Sequence, residues 1–236
     1  MHGKPTLSYS IGVMVQSKDL MRYCHYAPAE RYFFVGPEGT WGNWTVIDGQ
    51  GLWRLTVLGS TQKLDLDTFD ARAWVRRAIG RDDAPFEVVS LLPWKRSEVT
   101  AERFSDRRVF LVGDAAHSMS PTGGMGMNTG VCEAVDIGWK LEAMVKGWGG
   151  AKLMDSYDAE RRPIAVRNAA SSTENFKAIT SAGDCGAILD DTPEGASVRK
   201  RVGDGLRAAM KARYWEPSGL QLGYRYAGSP ICIPDG

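Results

Sequence analysis

The chain has 236 residues, 43% hydrophobic and 24% charged, with a formal net charge of +1, the profile of an ordinary globular protein. So small a charge, with no basic run, leaves nucleic acid or an acidic membrane no field to follow, and no apolar stretch is long enough to span a bilayer. The opening MHGKPTLSYS lacks the regions of a signal peptide, and four scattered cysteines with three histidines form no metal-binding pattern, so a reducing, cytoplasmic setting is expected.

The first ninety-odd residues read mainly as β-structure. In TLSYSIGVMV, Leu7, Tyr9, Ile11, Val13 and Val15 alternate with smaller or polar residues, the period of a half-buried strand. RYCHYA and RYFFVG read as a strand pair across Pro28-Ala29-Glu30. NWTVID and LWRLTVLG read as a second pair, turned through Asp48, Gly49 and Gly51. DTFDARAWVRRAIG predicts a helix capped by Asp67 or Thr68 and stopped by Gly80. FEVVSLLPW predicts a strand ending near Pro93. Trp41, Trp44, Trp53, Trp74 and Trp94 crowd this region. Core packing is the expected role for most of them, with a flat aromatic pocket as the alternative.

From residue 95 the pattern changes. RVFLVG is a short apolar run, as expected for a strand covered on both faces. MNTGVCEAVDIGWKLEAMVKGW is helical, with Val131, Ala134, Val135, Gly138, Leu141 and Val145 spaced to form one apolar face, and Gly147 to Gly150 end it. AKLMDSYDAERRPIAVRNAASSTENF resumes as helix, with Pro163 a kink or break. Residues 182–204 read as loop with short helical pieces around SVRKRV and LRAAM. GYRYAGSPICIPDG has strand and turn character. The expected division is a β-rich domain over 1–95, an α/β segment over 96–182 and a helix-and-loop extension over 183–236.

The stretch FLVGDAAHSMSPTGGMGMNTG joins the apolar strand to the long helix. A helix N-terminus offers unpaired N–H groups and a partial positive charge, and glycines let backbone approach a ligand closely. The pattern therefore suits an anionic or carbonyl-bearing ligand. Asp114, at the carboxyl end of the strand, is placed to accept hydrogen bonds from ligand hydroxyls. Gly126-Met127-Asn128 lacks the Lys-Ser/Thr of a P-loop, and GGMGMN does not have the dinucleotide spacing GxGxxG. A glycine-rich connection that binds nothing is the alternative. His117, without a nucleophile partner in the pattern, is assigned a structural role. Glu133 and Asp136 are expected to anchor loops or basic side chains, Arg161 and Arg162 to tie their helix to neighbouring loops, and Met119, Met125 and Met127 to give soft packing.

RVFLVGDAAHSMSPTGGMGMNTG and EAVDIGWKL, followed by LMDSYDAERRPIAVRN, resemble the second flavin-contacting segment of the FAD-dependent aromatic hydroxylases. These are single-component flavoprotein monooxygenases with the p-hydroxybenzoate hydroxylase fold, and the phenol and resorcinol hydroxylase branch is most similar. The resemblance implies a mixed α+β and α/β fold: a mostly β substrate domain followed by the second half of an FAD-binding α/β domain. It implies that Asp114 binds the ribityl hydroxyls of FAD. Pro121 and Thr122 would border the flavin and substrate, the Pro121 carbonyl facing a substrate hydroxyl. Gly123, Gly124, Met125, Gly126, Met127 and Asn128 would bring backbone N–H groups to the flavin pyrimidine edge. The implied reaction uses NADH or NADPH and O2 to hydroxylate a phenolic or related ring through a flavin C4a-hydroperoxide, in a pocket that excludes water. No catalytic base stands out; Tyr9, His25, Tyr26, Trp53 and Arg54 are strand residues that could reach a pocket.

That family also carries a strand–GxGxxG–helix unit for the ADP half of FAD. Here GPEGTWG, residues 36–42, has the wrong spacing and sits among strands. The expectation is a central portion of the family fold, its FAD site completed by a second chain or further segment, with homo-oligomerisation favoured. The competing expectation is a truncated remnant or interaction module without functional FAD binding.

Overall fold

The computed structural model describes residues 1–24, 26–212 and 218–233. The chain forms two compact units. One comprises Thr6–Arg96 and Ile179–Arg207; the other comprises Met1–Pro5, Ser97–Ala178 and Ala208–Gly236.

The first unit is built on an antiparallel sheet of β1 (His2–Gln16), β2 (Arg31–Gly36), β3 (Gly39–Val46), β4 (Leu52–Ser60) and β5 (Glu87–Thr100), in the order β2-β3-β4-β1-β5. The alternation in β1 holds for Ile11, Val13 and Val15, all fully buried. A register shift between Tyr9 and Ile11 breaks it, and before the shift Ser8 and Ser10 are the buried residues. The β3–β4 pair forms as expected, and its turn is tied by the Asp48 carboxylate, which accepts from the Gln50 and Leu52 N–H groups at 2.8 and 2.9 Å. The expected pairing of RYCHYA with RYFFVG does not form. Leu20–Tyr23 is a short helix, α1, and β2 pairs instead with β3. GPEGTWG is the β2–β3 hairpin itself.

Helix α2 (Ala71–Ile79) is capped by Asp70, not by Asp67 or Thr68; its carboxylate accepts from Ala73 N–H at 3.0 Å, and Gly80 closes the helix at φ 78°. Strand β5 runs through Pro93 to Thr100 instead of stopping there. Trp41, Trp44 and Trp53 are buried with Leu55, Val57 and Val75 in one apolar core. Trp41 stacks on Phe34 with centroids 4.8 Å apart, and the Arg77 guanidinium lies 4.3 Å from the Trp41 ring centre. The tryptophans here are chiefly packing residues. Of the strand residues singled out for a pocket, Trp53 is buried, Arg54 is exposed, the Tyr26 hydroxyl donates to Ala78 O, and Tyr9 joins Trp94 beside a cavity of about 180 Å3; His25 lies outside the described residues. Helix α5 (Pro193–Met210) is continuous where two short helical pieces were expected, and Val202 packs with Cys185 and Ile188.

The second unit holds β6 (Ser105–Asp106), β7 (Val109–Phe110), a 3-10 turn at Gly113–Ala115, β8 (His117–Ser118) and helix α3 (Met125–Val145). It also holds all but the last two residues of helix α4 (Asp155–Thr180) and the short α6 (Ser218–Gln221). β8 pairs with the end of β5 at Val99 and Thr100. The apolar run RVFLVG is not a strand covered on both faces. It forms a two-residue arm paired antiparallel with Ser105 and Asp106, and Val109 is 63% exposed. Helix α4 continues through Pro163 without a break. The segment from Leu222 to Ile233 has turns and no strand. No described helix is long and apolar enough to cross a membrane.

Candidate functional site

Helix α3 is inverted relative to its expected amphipathicity. Val131, Val135 and Val145 are 55%, 66% and 87% exposed, whereas Thr129, Glu133, Asp136 and Lys140 are buried. A buried polar face is tolerable only when its groups are paired, and these are. Lys140, fully buried, donates to Asp136 Oδ2 at 2.7 Å and to Glu160 Oε2 of α4 at 2.5 Å. Glu160 Oε1 accepts from the Ser229 hydroxyl at 2.5 Å. Burial pushes the Asp136 carboxyl up against the opposing pull of Lys140. This triad locks α3 to α4 and to the Ser229 turn.

Glu133 does the same for the turn that carries Asp114. Its Oε2 accepts the Gly113 N–H at 2.8 Å, and both carboxylate oxygens lie within 3.1 Å of His117 Nε2. The Gly113 N–H and the His117 ring are both tied to one fully buried carboxylate, so His117 and Glu133 have the structural roles expected of them. Gly113 has φ 60° and its Cα faces Gly130, where an added Cβ would come within 3.1 Å of it. The close approach favours glycine at 130, and the positive φ favours it at 113. The Asp114 side chain is left exposed at the turn. Arg162 donates to Ala101 O at 3.0 Å and Arg161 to the Tyr226 hydroxyl at 2.9 Å, the anchoring expected of them.

The residues from 120 to 128 form a tight turn into α3. Gly124 N–H donates to the Pro121 carbonyl at 3.1 Å, so one acceptor site of that carbonyl is engaged within the protein. Thr122 N–H donates to Ser120 Oγ at 3.3 Å. Gly123 and Gly124 have φ 99° and 68°, conformations that a side chain resists. The helix begins at Met125, two residues before the Met127 at which the helical pattern was read to start, with Gly124 as its N-cap. No side chain caps this end, so the first-turn N–H groups face outward without an intrahelical acceptor. Asn128 Nδ2 donates back to Gly124 O at 2.7 Å and Thr129 Oγ1 to Met125 O at 2.7 Å. Met125 is buried, Gly126 half-buried, and Met127 is 78% exposed.

In the sequence Asp114 and the 121–128 turn flank His117, which Glu133 holds. An exposed carboxylate, glycine backbone held at positive φ and an uncapped helix start together fit a ligand with both hydroxyls and an electron-rich heterocyclic edge, which FAD has. Sequence reasoning gave Glu133 and Asp136 an anchoring role without naming their partners, and it missed Lys140 and Glu160. The signal was present: Thr129, Glu133, Asp136 and Lys140 share one helical face.

The FAD binding domain family matches residues 1–172. The chain belongs to this family. It is 28% identical to the 2,4-dichlorophenol 6-monooxygenase of Delftia acidovorans over 268 aligned residues, covering 100% of the chain and 44% of that protein. It is 31% identical to the phenol 2-monooxygenase of a Pseudomonas species over 214 residues, covering 83% and 33%. Among solved structures, the rebeccamycin biosynthetic enzyme RebC with reduced flavin superposes with a TM-score of 0.84 at 33% identity, over 99% of this chain and 44% of RebC. The family member thus spans less than half the length of these relatives. The likeness to FAD-dependent aromatic hydroxylases, carried in the sequence by residues 108–168, extends to the fold of nearly the whole chain.

Proposed function

We propose that this chain is the substrate-sheet and second flavin-contacting portion of an FAD-dependent monooxygenase that hydroxylates a phenolic or related aromatic compound. The observation that carries the reading is the turn from Gly113 to Asn128: an exposed Asp114, positive φ at Gly113, Gly123 and Gly124, and an α3 start without a side-chain cap. In this reading Asp114 accepts from the ribityl hydroxyls. The backbone of Gly123, Gly124, Met125, Gly126, Met127 and Asn128 donates to the flavin pyrimidine edge, where the helix terminus favours negative charge by roughly 0.3–1 kcal/mol. Pro121 and Thr122 border the substrate. When bound, FAD supplies electron transfer from NADH or NADPH and the activation of O2 that puts one oxygen atom on the ring and releases the other as water. The protein's part is to hold the flavin rigidly, orient the ring and keep water out.

The ADP half of FAD would be held by a further segment or a different second chain, since no GxGxxG strand–helix unit occurs among residues 1–236. A reducing cytoplasm is the proposed setting, supported by four cysteines that form no disulfide. A remnant without flavin is less favoured, a reading supported by the positive φ at Gly123 and Gly124, the α3 start without a side-chain cap and the match to the FAD binding domain family.

The test is an FAD titration of the purified chain followed by flavin fluorescence, then 18O2 incorporation with NADH or NADPH and a panel of phenols. The expected result is saturable binding weakened at least tenfold by Asp114→Ala, and a product carrying one labelled oxygen. An absence of saturable binding overturns the claim that this chain carries the flavin site. Binding without aromatic-dependent oxygen transfer, once the protein that holds the ADP half is supplied, overturns the monooxygenase reading.

A further inference from the structure

The sheet unit has a cavity of its own, of about 180 Å3. Tyr9 of β1, Leu64 from the segment after β4, and Pro93 and Trp94 of β5 line it, together with Lys63 and Lys95. All of these residues belong to Thr6–Arg96, so the cavity lies within one compact unit and shares no residue with the turn assigned to flavin.

The sequence dictates an interruption in the sheet here. β1 shifts register between Tyr9 and Ile11, and Pro93 has no N–H to give to a ladder. Breaks of this kind re-aim side chains out of the regular pleat, and Tyr9 and Trp94 are left half-buried beside the cavity. The Arg96 guanidinium, 3% exposed as a residue, lies 4.7 Å from the Trp94 ring centre, a cation–π contact that holds that ring in place. An apolar cavity of roughly 150 Å3 takes one benzene ring, so this one has room for a single ring with a substituent.

The charge at the cavity has one sign: its lining has two lysines and no acidic residue. Lys63 and Lys95 are both exposed, and among the described residues neither has a carboxylate within 4.0 Å. A lysine stem can lie along an apolar wall while its ammonium stays in water at the mouth, free to turn toward a ligand. Such a site repels a cation, gives a neutral ring no charge to pair with, and leaves a bare oxyanion without use for the aromatic wall. A ring that carries a carboxylate uses both parts.

We propose that this cavity binds a small aromatic carboxylate, its ring against Tyr9, Leu64 and Trp94 and its carboxylate paired with the ammonium groups of Lys63 and Lys95. The proposal does not rest on the flavin reading, and its test needs no FAD.

The full chain is treated with N-hydroxysuccinimidyl acetate at constant ionic strength, and acylation of each lysine is followed by mass spectrometry. Benzoate is the probe, phenol the neutral ring and formate the carboxylate without a ring. Lys18 and Lys152, exposed and outside the cavity, serve as controls. Benzoate is expected to slow acylation of Lys63 and Lys95 saturably and at least threefold while the two controls react as before. Phenol and formate at the same concentration should protect neither. Calorimetric titration should show benzoate binding weakened at least fivefold in the double variant Lys63→Gln, Lys95→Gln; both side chains are exposed, and circular dichroism checks that the fold is kept. Benzoate that leaves Lys63 and Lys95 unprotected, equal protection by phenol or by formate, or a folded double variant that binds benzoate as the parent does would each overturn the proposal.

Discussion

Replacing Lys140 by Met removes one charge and leaves two. Lys140 is fully buried between Asp136 and Glu160, with Nζ–O distances of 2.7 and 2.5 Å. At an effective dielectric of about 20, each contact is worth ~6 kcal/mol of gross Coulomb attraction. Most of that offsets the cost of taking three ions out of water. The substitution keeps the desolvation of the carboxylates and loses the attraction, so the expected net loss is about 3–5 kcal/mol, a factor of roughly 10^2–10^4 in the folding equilibrium. Urea denaturation at pH 7, followed by tryptophan fluorescence and circular dichroism, measures it.

Two further signatures separate this mechanism from a simple packing defect. Asp136 is already held above its ordinary pKa by burial, and the pull of Lys140 that opposes this is lost in the variant. An acid whose folded pKa is raised binds its proton more tightly folded than unfolded. The penalty at Asp136 in Lys140→Met is therefore full above its raised folded pKa and shrinks as pH falls through it. The triple variant Lys140→Met, Asp136→Asn, Glu160→Gln removes all three charges and should recover much of the loss. A single-variant loss below about 1 kcal/mol, a loss independent of pH, or a triple variant no better than the single one would refute the reasoning.

Gly123→Ala should destabilise the chain by about 1–3 kcal/mol and lower its flavin affinity, because φ is 99° and a Cβ would meet Asn175 Nδ2 at 2.7 Å; thermal melting and an FAD titration read the two effects. Asp70→Ala removes the α2 cap and should cost about 1 kcal/mol, measured by denaturation; Asp67→Ala and Thr68→Ala should cost less. Asp48 is held below the usual aspartate range by the N–H groups of Gln50 and Leu52. Its stabilisation is therefore complete above the ordinary value of about 4 and is lost as pH falls through the lowered one. An NMR titration should find the Asp48 carboxyl among the more acidic, and the stability gap to Asp48→Ala should close at low pH.

Local chemistry made much of this protein legible in its amino-acid order. The Asp48 turn and the Gly80 stop were readable because each depends on residues a few positions apart. So was the glycine-rich entry to α3, since the strand-to-helix turn, its glycines and Asp114 are all contiguous. The resemblance over residues 108–168 indicated the FAD-binding family, to which residues 1–172 belong.

What escaped the sequence depended on partners far along the chain. The apolar spacing of α3 indicated an inward face at Val131, Val135 and Val145, yet the side turned inward carries Glu133, Asp136 and Lys140. Hydrophobic periodicity cannot reveal that these charges meet His117, Glu160 and Ser229, and only those contacts make their burial tolerable. Likewise, RVFLVG has the composition of a covered strand, but its pairing is decided by Ser105 and Asp106 across the hairpin. Pro163 is a helix breaker by propensity, yet α4 runs through it, its first turns held by contacts of Tyr157, Glu160 and Arg162 with distant segments. Propensity and spacing set most of the turns and elements in this chain; the pairing of remote charges set which face of α3 turned inward.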